Sequence, residues 1–174
     1  MNEPRESKKR LFFALWPDDV TRARLAAAAH QWARRPVPAD NLHITLQFLG
    51  ACNTEQQACY AQAASTVQCT AFDLQLDYLS GWPRKHIQWL GTSHLPTALT
   101  DLVETLDQVL EGCGYQPEKR RFVPHVTLSR NEKKPLTKVD LPAIDWAVNE
   151  FVLAESVGGP DGVHYMVRAR WPLA

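Results

Sequence analysis

Two tetrapeptides, His43-Ile44-Thr45-Leu46 and His125-Val126-Thr127-Leu128, place an imidazole and a hydroxyl two residues apart, each followed by an aliphatic side chain. In an extended strand successive side chains point to opposite faces, so each His shares a face with its Thr while the aliphatics take the other. With 6 His in the chain, chance supplies roughly 0.4 His-x-Thr occurrences, and two with matching surroundings stand out. Two imidazoles flanking a phosphorus suit in-line displacement: one takes a proton from the nucleophile while the other gives one to the leaving oxygen. Their ordinary pKa, near 6.5, lets one be neutral and the other charged at neutral pH. The threonine hydroxyls can donate to non-bridging phosphoryl oxygens, where positioned donors stabilise developing charge. No metal is required. A site built on His43 and His125 would need a third ligand, and no nearby His, Asp or Glu spacing supplies one.

The elements that must position these residues recur in the same order. An apolar strand (residues 11–16) and an alanine-rich helix (residues 18–34, capped at Asp18 or Asp19) precede the first motif strand, which Gly50 closes. A strand at residues 86–90 and a helix at residues 96–110, stopped by Gly112 and Gly114, precede the second. This reads as a diverged duplication, and a pseudo-twofold between the halves would bring the motif strands face to face. Residues 54–67 read as a further helix and 72–79 as a half-buried strand, followed by a turn at Gly81-Trp82-Pro83. Residues 135–145 read as a loop, and 151–157 and 164–170 as closing strands around a Gly-rich turn. The expected fold class is α+β: a bilobal single domain over residues 1–174, with residues 1–9 a flexible N-terminus.

Length and composition are consistent with that frame. A chain of 174 residues with 45% hydrophobic residues can bury a full core. No apolar run approaches the roughly 18 residues that a membrane span needs, and the charged N-terminus does not resemble an export signal, so a cytoplasmic monomer is expected. Cys52, Cys59, Cys69 and Cys113 form no C-x-x-C pair and read as reduced, partly buried thiols. Zero net charge argues against bulk electrostatic capture of long nucleic acid. Local basic clusters remain at Lys8-Lys9-Arg10, Arg34-Arg35, Arg84-Lys85 and Lys119-Arg120-Arg121; the last, just before the second motif, is placed to attract a phosphate chain.

The twin His-x-Thr-x motifs, the opening RLFFALWP and the blocks NLHITLQFLG and PHVTLSR resemble the two-histidine phosphoesterase superfamily, in particular its RNA 2′,3′-cyclic phosphodiesterase branch, also called 2′-5′ RNA ligase. The likeness runs from about Arg10 to Trp171. It implies two lobes whose motif strands line a central cleft, and hydrolysis of a terminal 2′,3′-cyclic phosphate to a 2′-phosphate without metal or cofactor. It also implies reversible, ATP-independent 2′-5′ joining of RNA ends. Carried over by position, His43 protonates the leaving O3′, His125 activates water, and Thr45 and Thr127 contact the phosphate. The implied partners are RNA 3′ ends bearing the cyclic phosphate, tRNA fragments among them, or nucleoside cyclic phosphates.

Phe48 and Arg130 each lie five residues after a motif His and have the opposite strand parity, so they reach the cleft only if the strand ends, twists or bulges. The resemblance makes Phe48 a base-stacking platform and Arg130 a bidentate phosphate ligand; otherwise they are core packing and a surface charge. His30, His86, His94 and His164 read as structural or exposed. Two other functions fit the same motifs: a nucleotide-binding module of this fold, or a phosphodiesterase for a small cyclic phosphate or a 2′-5′ oligonucleotide.

Overall fold

Strand and helix signals alternate along the chain, and the computed structural model describes residues 7–133 and 136–174. The order is β1 (Lys9–Leu15), α1 (Asp19–Trp32), β2 (Ile44–Cys52), α2 (Thr54–Ala64), β3 (Phe72–Trp82), β4 (Ile87–Gly91), α3 (Thr97–Glu111), β5 (His125–Arg130), β6 (Val139–Val148), β7 (Glu150–Gly159) and β8 (Gly162–Pro172). Local chemistry sets the helix starts. Asp18 caps α1 by accepting from the Thr21 amide at 2.7 Å, and Asn53 and Gln56 close a reciprocal capping box on α2. α3 carries its apolar residues at helical spacing, burying Leu99, Leu102, Val103, Leu106 and Leu110 along one stripe.

All eight strands form one antiparallel sheet in the order β6-β3-β4-β5-β2-β1-β7-β8. The motif strands β5 and β2 are neighbours at its middle, joined through the single pair Ile44↔Val126. They therefore meet side by side rather than face to face. The helices cover one face, where Leu11, Phe13 and Leu15 of β1 join Leu25, Ile44, Leu99, Leu106, Val126 and Leu128 in the main core. The opposite face of β1 and β7 carries a smaller cluster of Phe12, Ala14, Val152 and Ala154.

Four expectations change. Residues 139–148 are a strand, not a loop: β6 lies at the sheet edge, where the proline at position 142 costs no ladder hydrogen bond that matters, and Pro135 lies outside the described residues. Lys9 belongs to β1, while residues 1–6 of the expected flexible N-terminus lie outside the described residues. β3 runs on through Trp82, so the turn begins at Pro83. Finally, the four cysteines are not all thiols. Cys59 on α2 and Cys113 beyond α3 are disulfide-bonded because the two helices pack together, leaving Cys52 and Cys69 free.

Candidate active site

The two motif strands break their alternation at the same point. On β2 the pairing with β1 slips after Thr45, so that Leu46 and Gln47 both turn inward: Leu46 enters the core, and the Gln47 amide donates to the Val103 carbonyl at 3.1 Å on α3. On β5 the pairing with β4 slips after Thr127, and Leu128 and Ser129 both turn inward, with Ser129 Oγ donating to the Arg35 carbonyl at 3.0 Å. An extra inward residue reverses the parity of everything beyond it. Phe48 and Arg130 consequently emerge on the same face as the histidines and threonines.

That face is a cleft of about 310 Å³ lined by His43, Thr45, Phe48, His125, Thr127 and Arg130 together with side chains from β1, β7 and β8. Phe48 is 69% exposed, which fits a stacking platform rather than core packing. Each imidazole is held in the same way. His43 Nδ1 lies 2.7 Å from the Asn41 carbonyl and His125 Nδ1 lies 2.7 Å from the Val123 carbonyl. A carbonyl only accepts, so each Nδ1 carries the proton and each Nε2 is left for chemistry. His43 Nε2 lies 2.9 Å from Thr45 Oγ1.

Aromatic walls fix both rings. His43 stacks on Trp16 with centroids 5.5 Å apart, and Phe12 and Tyr165 approach it at 5.0 Å each. His125 meets Trp82 at 4.6 Å and Trp89 at 5.8 Å between centroids, both in T-shaped contacts. Gly91, paired with His125, permits that second wall: a Cβ there would stand 2.6 Å from the rings of Trp89 and Tyr78. None of the five aromatic wall residues was assigned to the site by the motifs. They come from other strands and from segments next to them, and no local spacing ties them to the histidines.

Burial among these rings disfavours the charged imidazole. It pushes His43 down to about 4, helped by the nearby His125 and Arg130 and opposed by the Asn41 hydrogen bond. His125 is also lowered, first by burial, against the Val123 hydrogen bond, and then by Arg130 and Lys85. Both are therefore neutral bases in the free protein near pH 7.

The other sequence candidates lie elsewhere. Arg120 of the Lys119-Arg120-Arg121 cluster pairs with Glu118 at 3.7 Å in an exposed loop, and none of the three lines the cleft. His86 bonds the Glu132 carbonyl and His94 touches Ser93, both at the surface. Among the described residues no three His, Cys, Asp or Glu side chains gather into a metal-holding cluster, and no helix is long and apolar enough to cross a membrane.

Comparison with known proteins agrees with the geometry. The family model described as the 2′-5′ RNA ligase superfamily matches residues 13–160. The chain is 34% identical to the RNA 2′,3′-cyclic phosphodiesterase of Escherichia coli K12, over 99% of both chains. It is 25% identical to the protein of the same name from Methanocaldococcus jannaschii, over 93% of this chain and 99% of that one. Its fold superposes on the crystal structure of E. coli LigT complexed with 3′-AMP with a TM-score of 0.87, at 32% identity, covering 95% of this chain and 98% of the other. A cleft lined by two imidazoles, held alike on twin bulged strands, thus sits in a chain that belongs to the 2′-5′ RNA ligase superfamily.

Proposed function

We propose that the protein is an RNA 2′,3′-cyclic phosphodiesterase that opens the terminal ring to a 2′-phosphate. The observation that carries the reading is the convergence of two Nδ1-anchored histidines, two threonines and Arg130 on one cleft. The relatives' names support the substrate class.

The base of the terminal nucleotide stacks on Phe48, and the Arg130 fork grips two phosphoryl oxygens. His125 Nε2 takes a proton from water as the water oxygen attacks phosphorus in line. The P–O3′ bond breaks, and His43 Nε2–H gives its proton to O3′. The hydroxyls of Thr45 and Thr127 donate to the non-bridging oxygens as charge builds there. No step needs a metal or a cofactor, and chelators leave turnover unchanged. With an RNA 5′-hydroxyl in place of water as the nucleophile, the same step forms a 2′-5′ linkage as the P–O3′ bond breaks and O3′ takes the His43 proton, weakly because water is in great excess.

The strand order is symmetric in position about the β5/β2 pair, and each side holds one His-x-Thr, a bulge just after its Thr and an aromatic wall around its His. This supports a duplicated, two-lobed single domain with a pseudo-twofold through the cleft. The protein acts as a cytoplasmic monomer. The Cys59–Cys113 bond lies on the helical layer, so the chemistry does not depend on whether that compartment keeps it closed.

Phosphorus NMR of the product formed from a short RNA ending in a 2′,3′-cyclic phosphate tests the reading. A 2′-phosphate with a free 3′-hydroxyl is expected. A 3′-phosphate or a mixture would show that the histidine roles are reversed or the binding mode is not unique, and binding without turnover would make the chain a nucleotide-binding module.

A further inference from the structure

The cleft extends past the residues used above, and only in one direction. Its remaining lining residues are Arg10, Leu11 and Phe12 of β1, Gly50 of β2, Ser156 of β7 and Tyr165 of β8, all on the His43 side. Strand pairing sets their order. Arg10 lies opposite Ser156, and Ser156 lies opposite Tyr165, so the three side chains stand in a row across adjacent strands. Phe12 is two residues along β1 from Arg10, roughly 7 Å on the same face. Its ring meets His43 at 5.0 Å, Tyr165 at 5.1 Å and Phe48 at 6.4 Å. The floor between the aromatic platform and Arg10 is bare: Gly50, at φ 72, has no atom within 4 Å of where a Cβ would stand.

Alternation along β1 separates the basic cluster of the N-terminal segment. Lys9 points away and pairs with Glu155 at 3.8 Å, and Arg168 holds the same carboxylate at 2.6 Å. Arg10 points into the cleft and has no ion pair or hydrogen-bond partner among the described residues. A guanidinium with a hydroxyl beside it, about one nucleotide beyond an aromatic platform, matches a phosphodiester monoanion: the fork grips two oxygens and the hydroxyl donates to one.

Resting on the proposed function, we infer that Arg10 and Ser156 form a second, non-reacting phosphate subsite that takes the internucleotide phosphate on the 5′ side of the terminal nucleotide, so that the protein selects RNA ends over free nucleoside cyclic phosphates. The subsite recognises charge and backbone, not base identity.

Two ratios test this. The first is the affinity of a dinucleotide carrying a terminal 3′-phosphate relative to the nucleoside 3′-phosphate, read by calorimetry. The second is the kcat/KM of a dinucleotide ending in a 2′,3′-cyclic phosphate relative to the matching nucleoside cyclic phosphate. Both should be about tenfold or more in the wild type at low salt, should shrink as salt rises, and should fall towards one in Arg10→Ala. Ser156→Ala should lower them several-fold, and Arg10→Lys should keep part of the preference. Arg10 is exposed and unpaired, so its replacement leaves the fold intact, which circular dichroism checks. Wild-type affinity ratios near one, or ratios that Arg10→Ala leaves unchanged, would overturn the subsite. Absence of turnover on every substrate would instead overturn the proposed function, and the affinity ratio would still decide the subsite.

Discussion

The proton that His43 is asked to deliver is not there in the free protein. Burial, helped by the nearby His125 and Arg130, pushes its pKa to about 4, so at pH 7 the imidazole is neutral. A general acid must be charged in the complex, so substrate must bring the proton in. A phosphodiester anion within hydrogen-bond reach of Nε2 favours the imidazolium, as an opposite charge does at this range. Raising the pKa from about 4 to about 7 amounts to roughly 4 kcal/mol of coupling between phosphate and proton, at 1.36 kcal/mol per unit. By linkage, affinity for a diester monoanion should then weaken about tenfold per pH unit between pH 4 and 7 and level off above. The assay is calorimetry of a nucleoside 2′,3′-cyclic phosphate binding to His125→Ala, which removes the base while keeping His43. The ligand's own charge is constant in this range, so two buffers of different ionisation enthalpy report the protons taken up. Uptake approaching one proton per ligand at pH 6 is expected. No uptake, with affinity flat from pH 5 to 7, would show that His43 stays neutral in the complex and that the acid is the other histidine.

His43→Ala and His125→Ala should each lower turnover on the order of 100-fold or more, with the double variant little worse than the poorer single, because both act in one step; kcat of all three variants checks this. Arg130→Lys keeps the charge but loses the planar fork, so kcat/KM should fall by about tenfold, near 1.4 kcal/mol; an unchanged value would return Arg130 to the surface. Stability should also respond to acid through His43. Its folded pKa lies below the unfolded value of 6.5, so the unfolded chain binds the proton first, and stability is full above pH 6.5 and lost as pH falls towards 4. Up to about 3 kcal/mol is at stake, and denaturant titrations of wild type and His43→Ala between pH 7 and 4 should converge in acid. In a non-reducing buffer, Cys59→Ser should cost about 2–4 kcal/mol in the same titrations, because the bond closes a loop across a separation of 54 residues, while kcat stays at the wild-type value.

The sequence shows the chemistry more clearly than the scaffold that aims it. His43, Thr45, His125 and Thr127 could be placed on strand faces from alternation alone, and the helix caps at Asp18 and Asn53 are local signals that the fold respects. The bulges were one of several possibilities and could not be located. Parity showed that Phe48 and Arg130 reach the cleft face only if the strand ends, twists or bulges, yet whether and where an extra residue sits depends on how β1 and β4 pair, which is not written in β2 or β5. The aromatic walls were illegible for the same reason: Trp16, Trp82 and Trp89 reach the histidines only through the fold. β6 was hidden by proline, an argument against a strand that loses its force at a sheet edge. The Cys59–Cys113 bond was hidden because one half-cystine lies on α2 and the other in the turn after α3, far apart in sequence.

The seam between β2 and β5 also has a mechanical meaning. Every other neighbouring pair of strands is stitched by five or more paired positions, while this one is held by Ile44↔Val126 alone. Shear and splay of one half against the other are therefore easiest along the line on which both imidazoles stand, and α2 and α3, bonded through Cys59 and Cys113, act as a strap behind it. A phosphate gripped from both strands at once is itself a stitch across that line. On the proposed function, such a ligand would tighten the very gap whose width sets the distance between the two histidines, so occupied and empty protein should differ most in stiffness at the middle of the sheet, where a sheet is ordinarily most rigid.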